Sequence, residues 1–187
     1  MTKTLFATLA AALAAPALAA DAYSVDPHHT YPTFEVRHLG FSTQRGRFNK
    51  TSGRIVLDRQ AKTGSVDIVI DAASVDTGLD KLEEHLRGEE FFNAEKFPTL
   101  TFKSKVVKFS GDKPTSVEGD FTMLGVTRPL TLTINAFNCG AHPLTRKEVC
   151  GADAAGVIKR SEFGMTKHVP GVSDEVRLVI QVEAIRE

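Results

Sequence analysis

The chain has 187 residues, with 23 basic and 23 acidic residues and therefore a formal net charge of zero. Proteins that bind nucleic acid usually present a strongly basic surface, which this balance excludes. Twelve phenylalanines against two tyrosines and no tryptophan favour an apolar interior or an apolar ligand cavity over a sugar-binding surface.

The first twenty residues have the pattern of a cleaved export signal. Lys3 precedes a short apolar run and a cluster of alanines, and the run is too short to cross a bilayer as a helix. We predict a signal peptide over 1–20, cleaved after Ala19 or Ala20, and location in the periplasm. One mature domain over 21–187 then carries 22 basic and 23 acidic residues.

Short stretches that alternate apolar and polar residues follow the leader, as expected for β-strands with one buried face. This alternation predicts strands over 23–26, 33–38, 45–49, 53–58 and 65–71. In the second predicted strand, Phe34, Val36 and His38 share one face.

One segment departs from the strand pattern. Leu79, Leu82 and Leu86 have the spacing of one helix face, and Gly88 is a helix stop signal, so we predict a short helix over 79–88.

Three phenylalanines, Phe91, Phe92 and Phe97, lie between this helix and the next strand. Two interpretations remain open at this point. The helix simply covers one open end of a β-structure, or the phenylalanines beside it roof a cavity.

The remainder of the chain again has the alternating pattern expected of short strands. Alternation predicts them over 99–109, 115–124, 129–137, 156–162 and 176–185. Eight or nine antiparallel strands around one core predict an all-β sandwich or a closed barrel. Closure into eight strands would remove exposed edges and leave room for one slender ligand.

The two cysteines, Cys139 and Cys150, bound a polar segment that contains Pro143. An even pair in an exported protein predicts a disulfide, here across the tip of a hairpin.

Many short segments, in order along the whole mature chain, resemble the YceI-like family of lipocalin-like, polyisoprenoid-binding bacterial proteins. The segments are VD at 25–26 with His28, FEVRHLG at 34–40, GRF at 46–48, SVDT at 74–77, HLR at 85–87, FF at 91–92, FPT at 97–99, TFKS at 101–104, GDFT at 119–122, GVTRP at 125–129, IKRSEFGM at 158–165 and DEV at 174–176. The cysteine pair has no counterpart in this pattern.

The resemblance implies an extended eight-stranded antiparallel barrel, capped by the helix, that holds a long isoprenoid tail. It implies a periplasmic binding protein that sequesters or carries an isoprenoid quinone or a polyprenyl phosphate. It also allows a homodimer. No cofactor is required for this function, and neither a nucleic-acid partner nor a transmembrane segment is expected.

A tunnel for such a tail has to be lined by apolar side chains, with polar groups at most near its mouth. The predicted ligand-binding residues are Phe34, Val36, His38, Phe41, Phe48, Leu86, Phe91, Phe92, Phe97, Phe102, Phe121, Met123, Arg160 and Met165. Ile68, Ile70, Leu132 and Ile134 are further candidates for the wall. Candidates for contact with a polar head are His38, Arg45, Arg47, His85 and Arg160.

No catalytic residue and no metal site are predicted. His28 and His29 are adjacent on an extended chain and point to opposite faces, and no nucleophile or nucleotide-binding motif is present. Two alternatives remain open: an enzyme that acts on an isoprenoid lipid with His38 or His85 as base, and a stress-protective protein whose cavity is incidental.

Overall fold

A computed structural model describes residues 20–187. The signal peptide predicted over 1–20 lies outside this range except for Ala20, and its cleavage point stays a prediction. The described chain forms one α-helix and eleven strands. Helix α1 is Asp80–Arg87, and the strands are β1 Asp21–Val25, β2 Tyr31–His38, β3 Ser42–Phe48, β4 Thr51–Asp58, β5 Thr63–Asp71, β6 Val75–Asp76, β7 Thr99–Ser110, β8 Lys113–Met123, β9 Val126–Ala141, β10 Glu148–Lys159 and β11 Glu175–Arg186.

The strands form a closed antiparallel barrel. Eight of them pair in the order β1, β4, β5, β7, β8, β9, β10 and β11, and β1 pairs with β11 to close the ring. Strand β11 also pairs with β2, which continues to β3 and β6. The predicted eight-stranded barrel with one helix is therefore confirmed.

Three of the eight barrel strands are interrupted. Strands β1 and β2 lie one after the other along β11, with Ser24 opposite Ile185 and Phe34 opposite Leu178. Strands β3 and β4, and likewise β5 and β6, succeed one another in the same way. Beyond the ring that β1 and β11 close, strands β2, β3 and β6 continue the barrel wall.

A buried threonine stabilises the break between β1 and β2. The hydroxyl of Thr30 donates to the carbonyl oxygen of Glu183 (3.2 Å) and accepts from its backbone N–H (3.1 Å). The side chain thereby supplies partners for main-chain groups of β11 where the ladder is interrupted, since a buried backbone group without a partner is costly.

Alternation along the strands points one set of side chains into the barrel, as predicted. In β8, Val117, Phe121 and Met123 are buried and their neighbours are less so. Phe102 of β7 lies opposite Phe121 and belongs to the same core. The inner face of this wall is thus apolar and aromatic.

The predicted and observed strand boundaries differ most for β9 and β10. Strands β9 and β10 continue to Ala141 and from Glu148, because hydrogen-bonded pairing extends through polar residues that alternation does not detect. The strand predicted over 156–162 ends at Lys159. The next four residues, Arg160–Phe163, form a 3₁₀ turn that ends at Gly164, which has a left-handed conformation (φ 90°).

Helix α1 lies within the predicted range 79–88 but packs less deeply than its leucine pattern suggests. None of its residues is fully buried, and Leu79, which precedes it, is exposed. Leu86 packs against the core. Among the described residues, no helix combines the length and apolar character that crossing a bilayer would demand.

Cys139 and Cys150 face each other on β9 and β10 and form the predicted disulfide, with their Cα atoms 4.0 Å apart. The disulfide links β9 to β10 near the loop between them, at the end of the hairpin that is remote from Arg160. It joins two strands that are already hydrogen-bonded to each other.

We expect the replacement of both cysteines by serine to lower the free energy of unfolding by on the order of 3 kcal/mol, because the unfolded chain loses a cross-link. Urea unfolding of the oxidised, reduced and doubly substituted proteins measures this difference. Neither cysteine lines the cavity described below, so the amount of bound ligand should not change. Identical unfolding midpoints for the oxidised and reduced proteins would contradict the prediction.

Candidate functional site

The barrel encloses a cavity of about 240 Å³. Its wall is formed almost entirely by aliphatic, phenylalanine and methionine side chains from the barrel strands, together with residues from α1 and the segment that follows it. Arg160 is the one charged residue of the wall within the part of the chain that the structure describes. Such a cavity is suited to a long apolar molecule, whose affinity comes from burial of its surface.

Most of the residues predicted to contact a ligand lie on this wall. They are Phe34, Val36, Phe48, Leu86, Phe91, Phe92, Phe102, Phe121, Met123, Arg160 and Met165. Ile68, Ile70, Leu132 and Ile134 lie there too. The structure therefore brings these side chains together, and their contact with a ligand stays a prediction.

Three predicted residues lie off the wall. Phe41 is 88% exposed at the tip of the β2–β3 hairpin. Phe97 packs over the β8–β9 turn, where a Cβ atom added to Gly125 would lie 2.9 Å from its ring. His38 is at the end of β2, where the chain turns out of the barrel and its backbone forms a bridge with Val172. The sequence indicates a turn or bulge over 38–42 but does not show that this turn removes His38 and Phe41 from the interior. It identifies Phe97 only as apolar.

The wall also contains residues that the prediction of ligand contacts omitted. Leu178, Ile180 and Val182 of β11 line it, and their alternation was visible in the sequence. Ala152 and Ala154 of β10 line it as well. No sequence signal marks a small residue as part of a cavity wall, because alanine is common in every setting.

One end of the cavity is roofed by phenylalanines from separate segments. The Phe92 ring, which follows α1, lies 5.3 Å from the ring of Phe48 and 6.3 Å from that of Phe34, centroid to centroid. Phe34 and Phe48 are themselves 5.9 Å apart. The edge-on contacts between Phe92 and the other two rings are a favoured aromatic geometry. Leu86 and Phe91 extend the same roof.

Two threonines in the wall differ in how their hydroxyls are satisfied. Thr30 has both hydrogen bonds to Glu183 described above. The buried hydroxyl oxygen of Thr51 has no hydrogen-bond partner among the described residues. Thr51 is therefore the wall threonine whose buried hydroxyl is free to bond to a ligand, whereas the hydroxyl of Thr30 is committed to β11.

Arg160 is only 3% exposed and uses its guanidinium group to hold the loop 164–174, which we call the mouth loop. Burial lowers the pKa of the guanidinium group, which nonetheless stays protonated in proteins. Four of its five N–H groups donate to main-chain oxygens. The acceptors are Ser173 for Nε (2.9 Å), Met165 and Lys167 for Nη1 (3.2 and 2.8 Å) and Val172 for Nη2 (2.9 Å).

Asp174 anchors the far end of the mouth loop. Its carboxylate accepts hydrogen bonds from the backbone N–H and the hydroxyl of Ser161, both at 2.8 Å. These two bonds hold the pKa of Asp174 below its ordinary value. Hydrogen bonds of both Arg160 and Asp174 therefore link the 3₁₀ turn to the mouth loop.

The other candidates for a polar head lie outside the cavity wall. Arg45 pairs with Glu35 (2.8 Å), and Arg47 lies over the ring of Tyr31 at 4.5 Å. The His85 ring packs against Phe91, with centroids 4.8 Å apart, and the residue is exposed. Contact with a polar head stays a prediction for each of them.

The fold assembles one group of potential metal ligands that the sequence pattern did not reveal. Ligand atoms of Asp26, His29 and Glu183 lie within 4.8 Å of one another. Asp26 already accepts a hydrogen bond from Nδ1 of His29 at 2.7 Å, and this interaction raises the pKa of His29. Asp26 and His29 therefore form an ion pair with each other and do not need a metal ion.

Comparison with known proteins gives a consistent result. The family model described as "YceI-like domain" matches residues 23–184. A protein of Yersinia pestis named "UPF0312 protein" is 38% identical over 176 residues, which are 92% of this chain and 90% of that protein. "Protein YceI" of Salmonella arizonae is 36% identical over 168 residues, 88% of this chain and 87% of that protein.

Solved structures have the same fold. BcnA of Burkholderia cenocepacia superposes with a TM-score of 0.71 at 27% identity, covering 86% of this chain and 99% of BcnA. A domain from Saccharophagus degradans described as polyisoprenoid-binding superposes with a TM-score of 0.65. It is 17% identical and covers 89% of this chain and 99% of that domain, which is a likeness of fold alone.

Proposed function

This chain belongs to the YceI-like family, and on that premise we propose that it is a periplasmic protein that sequesters or carries a long-chain isoprenoid lipid in its barrel cavity. The observation that carries the proposal is the wall itself, which is apolar around its circumference apart from a few threonines and one engaged arginine. The described polyisoprenoid binding of the Saccharophagus degradans domain, which has this fold, supports it.

The energetics of burial favour this class of ligand. Burial of apolar surface contributes roughly 0.8 kcal/mol per CH₂ group, so a five-carbon isoprene unit could contribute roughly 3–4 kcal/mol before ordering costs. A few buried units would bind firmly without any strong polar contact. A quinone or phosphate head would then lie towards the mouth of the cavity, because Arg160, the one charged residue of the described wall, holds the mouth loop there.

Export to the periplasm is proposed on two grounds. The leader over 1–20 has the pattern of a signal peptide, and the disulfide is of a kind that forms and persists in oxidising compartments. Neither ground depends on the cavity.

The positions of the two candidate bases give no support to an enzyme. His38 lies off the wall and His85 is exposed against the outer side of Phe91. A general base has to come within hydrogen-bond reach of its substrate. A binding protein is therefore the function that this geometry favours.

Lipid identification tests the proposal. The protein is purified from its native periplasm, extracted with organic solvent, and the extract is analysed by mass spectrometry. We expect a long-chain isoprenoid lipid in near-stoichiometric amount. A chemically converted lipid would favour catalysis, and the absence of any lipid would favour a protective protein with an incidental cavity.

Filling the cavity should displace the lipid. We expect Ala154→Phe, which adds a ring at a buried wall position, to lower the lipid load by at least about tenfold, because ring and tail then compete for the same volume. Val157→Phe is the matched control, since Val157 lies on the same strand but is exposed and off the wall. Equal lipid loads in the two variants would show that the lipid is bound elsewhere.

A further inference from the structure

We propose that Thr51 determines which lipid the cavity accepts, because its hydroxyl forms a hydrogen bond with an uncharged oxygen of the bound molecule. A quinone carbonyl is such a group and a phosphate is not. The inference rests on the proposed function and deepens it: of the two lipid classes named there, it selects the isoprenoid quinone.

The first observation is a buried hydroxyl group without a partner. Thr51 is only 3% exposed and lies on the cavity wall. Its Oγ1 atom is the one buried side-chain oxygen or nitrogen of residues 20–187 that forms no hydrogen bond. A buried hydroxyl in this condition destabilises the folded protein, and the large majority of buried polar groups in native structures are paired. A ligand can supply the missing partner, since Thr51 lines the cavity.

The second observation is the contrast with Thr30, the other buried threonine of the described chain. The Thr30 hydroxyl has two hydrogen bonds to the main chain of Glu183, where β1 and β2 are interrupted. The backbone of Thr51 pairs with β5 opposite Ile70, and its hydroxyl bonds to no main-chain group of the described chain. Valine has the same branched shape without the hydroxyl, so a purely structural role does not explain a threonine here.

The third observation is the position of Thr51 between the roof and the opposite end of the cavity. Phe48 of the roof precedes it at the end of β3, and Ile55 and Leu57 follow it on β4 and line the wall. Leu57 packs in a small apolar cluster with Cys150 of the disulfide. At about 3.4 Å per residue, Leu57 lies roughly 20 Å beyond Thr51 along the strand. A lipid whose polar group bonds to Thr51 therefore has an apolar wall for its tail.

This position agrees with a lipid head that lies towards the mouth. The β2–β3 turn is bonded to the mouth loop, with the backbone N–H of Leu39 donating to the carbonyl of Gly171 at 2.7 Å. Strand β3 runs from that turn to Phe48, and β4 follows it. Thr51 is therefore the wall residue of β4 that lies nearest to the mouth.

The fourth observation is that the wall around Thr51 suits an uncharged group. Ile70 and Phe48 beside it are apolar, and the adjacent Lys50 is exposed and off the wall. Arg160 already donates four of its five N–H groups to the mouth loop. Burial of an ionised group requires an opposite charge or several hydrogen bonds. A carbonyl oxygen, in contrast, is satisfied by the one hydrogen bond that a threonine donates.

Binding of matched ligands to delipidated protein tests the role of Thr51. The probes are geranylgeranyl phosphate, the ubiquinone with the same tail, and the corresponding hydrocarbon without a polar group. Thr51→Val should weaken binding of the ubiquinone about fivefold, because one neutral hydrogen bond is lost. It should change binding of the hydrocarbon and of the phosphate by less than about twofold, since neither places a polar group beside Thr51.

Two further variants are the controls. Thr51→Ser keeps the hydroxyl, so its ratio of ubiquinone to hydrocarbon affinity should stay within about twofold of the wild-type ratio. Thr122→Val makes the same substitution at a threonine that lies off the wall and bonds to Thr127 at 2.8 Å, and it should leave ubiquinone affinity unchanged. If Thr51→Val weakens the hydrocarbon or the phosphate as much as the ubiquinone, the proposal is wrong.

The melting temperature of the delipidated protein distinguishes a ligand contact from a structural one. Thr51→Val replaces an unpartnered buried hydroxyl by a methyl group, so the variant should melt at the wild-type temperature or up to about 4 °C higher. A substitution that weakens ligand binding while it stabilises the empty protein is typical of a residue retained for function. Melting several degrees below the wild type would show that the hydroxyl has a structural partner, and would overturn the proposal.

The wild-type protein separates this inference from the carrier function. If it binds none of the three probes, the carrier function is wrong and the role of Thr51 falls with it. If it binds the ubiquinone and Thr51→Val binds it equally well, the carrier function stands and Thr51 does not determine specificity.

Discussion

Arg160→Met should lower the free energy of unfolding by roughly 3–5 kcal/mol, although it keeps a flexible, unbranched stem. The substitution leaves four main-chain oxygens of the mouth loop without their shared donor. Hydrogen bonds from a charged donor contribute more than neutral ones, and buried acceptors without a partner are costly. Urea unfolding of delipidated protein measures the loss.

The control for Arg160→Met is Arg177→Met. Arg177 is an exposed arginine whose pairing with Glu35 is long, at 3.4 Å, and surface pairs contribute about 0–1 kcal/mol. We expect Arg160→Lys to fall between the two, because an ammonium group has three donors and cannot reproduce the planar arrangement of a guanidinium group. Should Arg160→Met unfold at the same urea concentration as Arg177→Met, the arginine does not hold the mouth loop.

Phe92→Ala should reduce both stability and lipid affinity. In a packed core, loss of a phenylalanine costs about 3–5 kcal/mol because the cavity stays empty. Here the ring contacts Phe34 and Phe48 on one side and lines the lipid cavity on the other. Bound lipid stabilises a protein in proportion to its affinity, so the increase in melting temperature on lipid binding should be smaller in the variant.

Phe109→Ala is the comparison for Phe92→Ala. Phe109 packs beside the core near the end of β7 but does not line the cavity. It should lower the melting temperature while leaving lipid per protein unchanged. If Phe92→Ala loses equal stability with and without lipid and keeps its full lipid load, the segment after α1 is a structural plug, and the cavity interpretation of the roof is wrong.

Wall residues could be predicted where a side chain follows the alternation of apolar and polar residues along its own strand. Phe102, Phe121 and Met123 lie in uninterrupted strands, and their alternation alone placed them inside. The family resemblance supplied the closed eight-stranded barrel, where short-range patterns alone left a sandwich and a closed barrel both open. These are the features that local sequence determines or that many short motifs identify together.

The errors arose where a turn or a distant partner decides the position. Phe41 is as apolar as Phe48. However, Leu39 and Gly40, which both have positive φ, form a turn between His38 and Phe41 that directs Phe41 outward. Arg160 was predicted within a strand and as a candidate for contact with a polar head, whereas its four acceptors lie in a loop whose conformation no local pattern reveals. The interruption between β1 and β2 depends on pairing with β11, more than a hundred positions away, as between Thr30 and Glu183.

Closure of the barrel by β11 determines when the enclosed cavity can form relative to synthesis of the chain. Strand β11 is the last strand of the described residues 20–187, and it pairs with β10, β1 and β2, so that Tyr23 lies opposite Arg186. Contacts between such distant positions make folding slow, on a scale of milliseconds to seconds for comparable β-topologies. A growing chain, or one still crossing a membrane, has no enclosed interior until β11 is in place. On the proposed function, a lipid can therefore be enclosed only after β11 has been made and has paired with β1, β2 and β10.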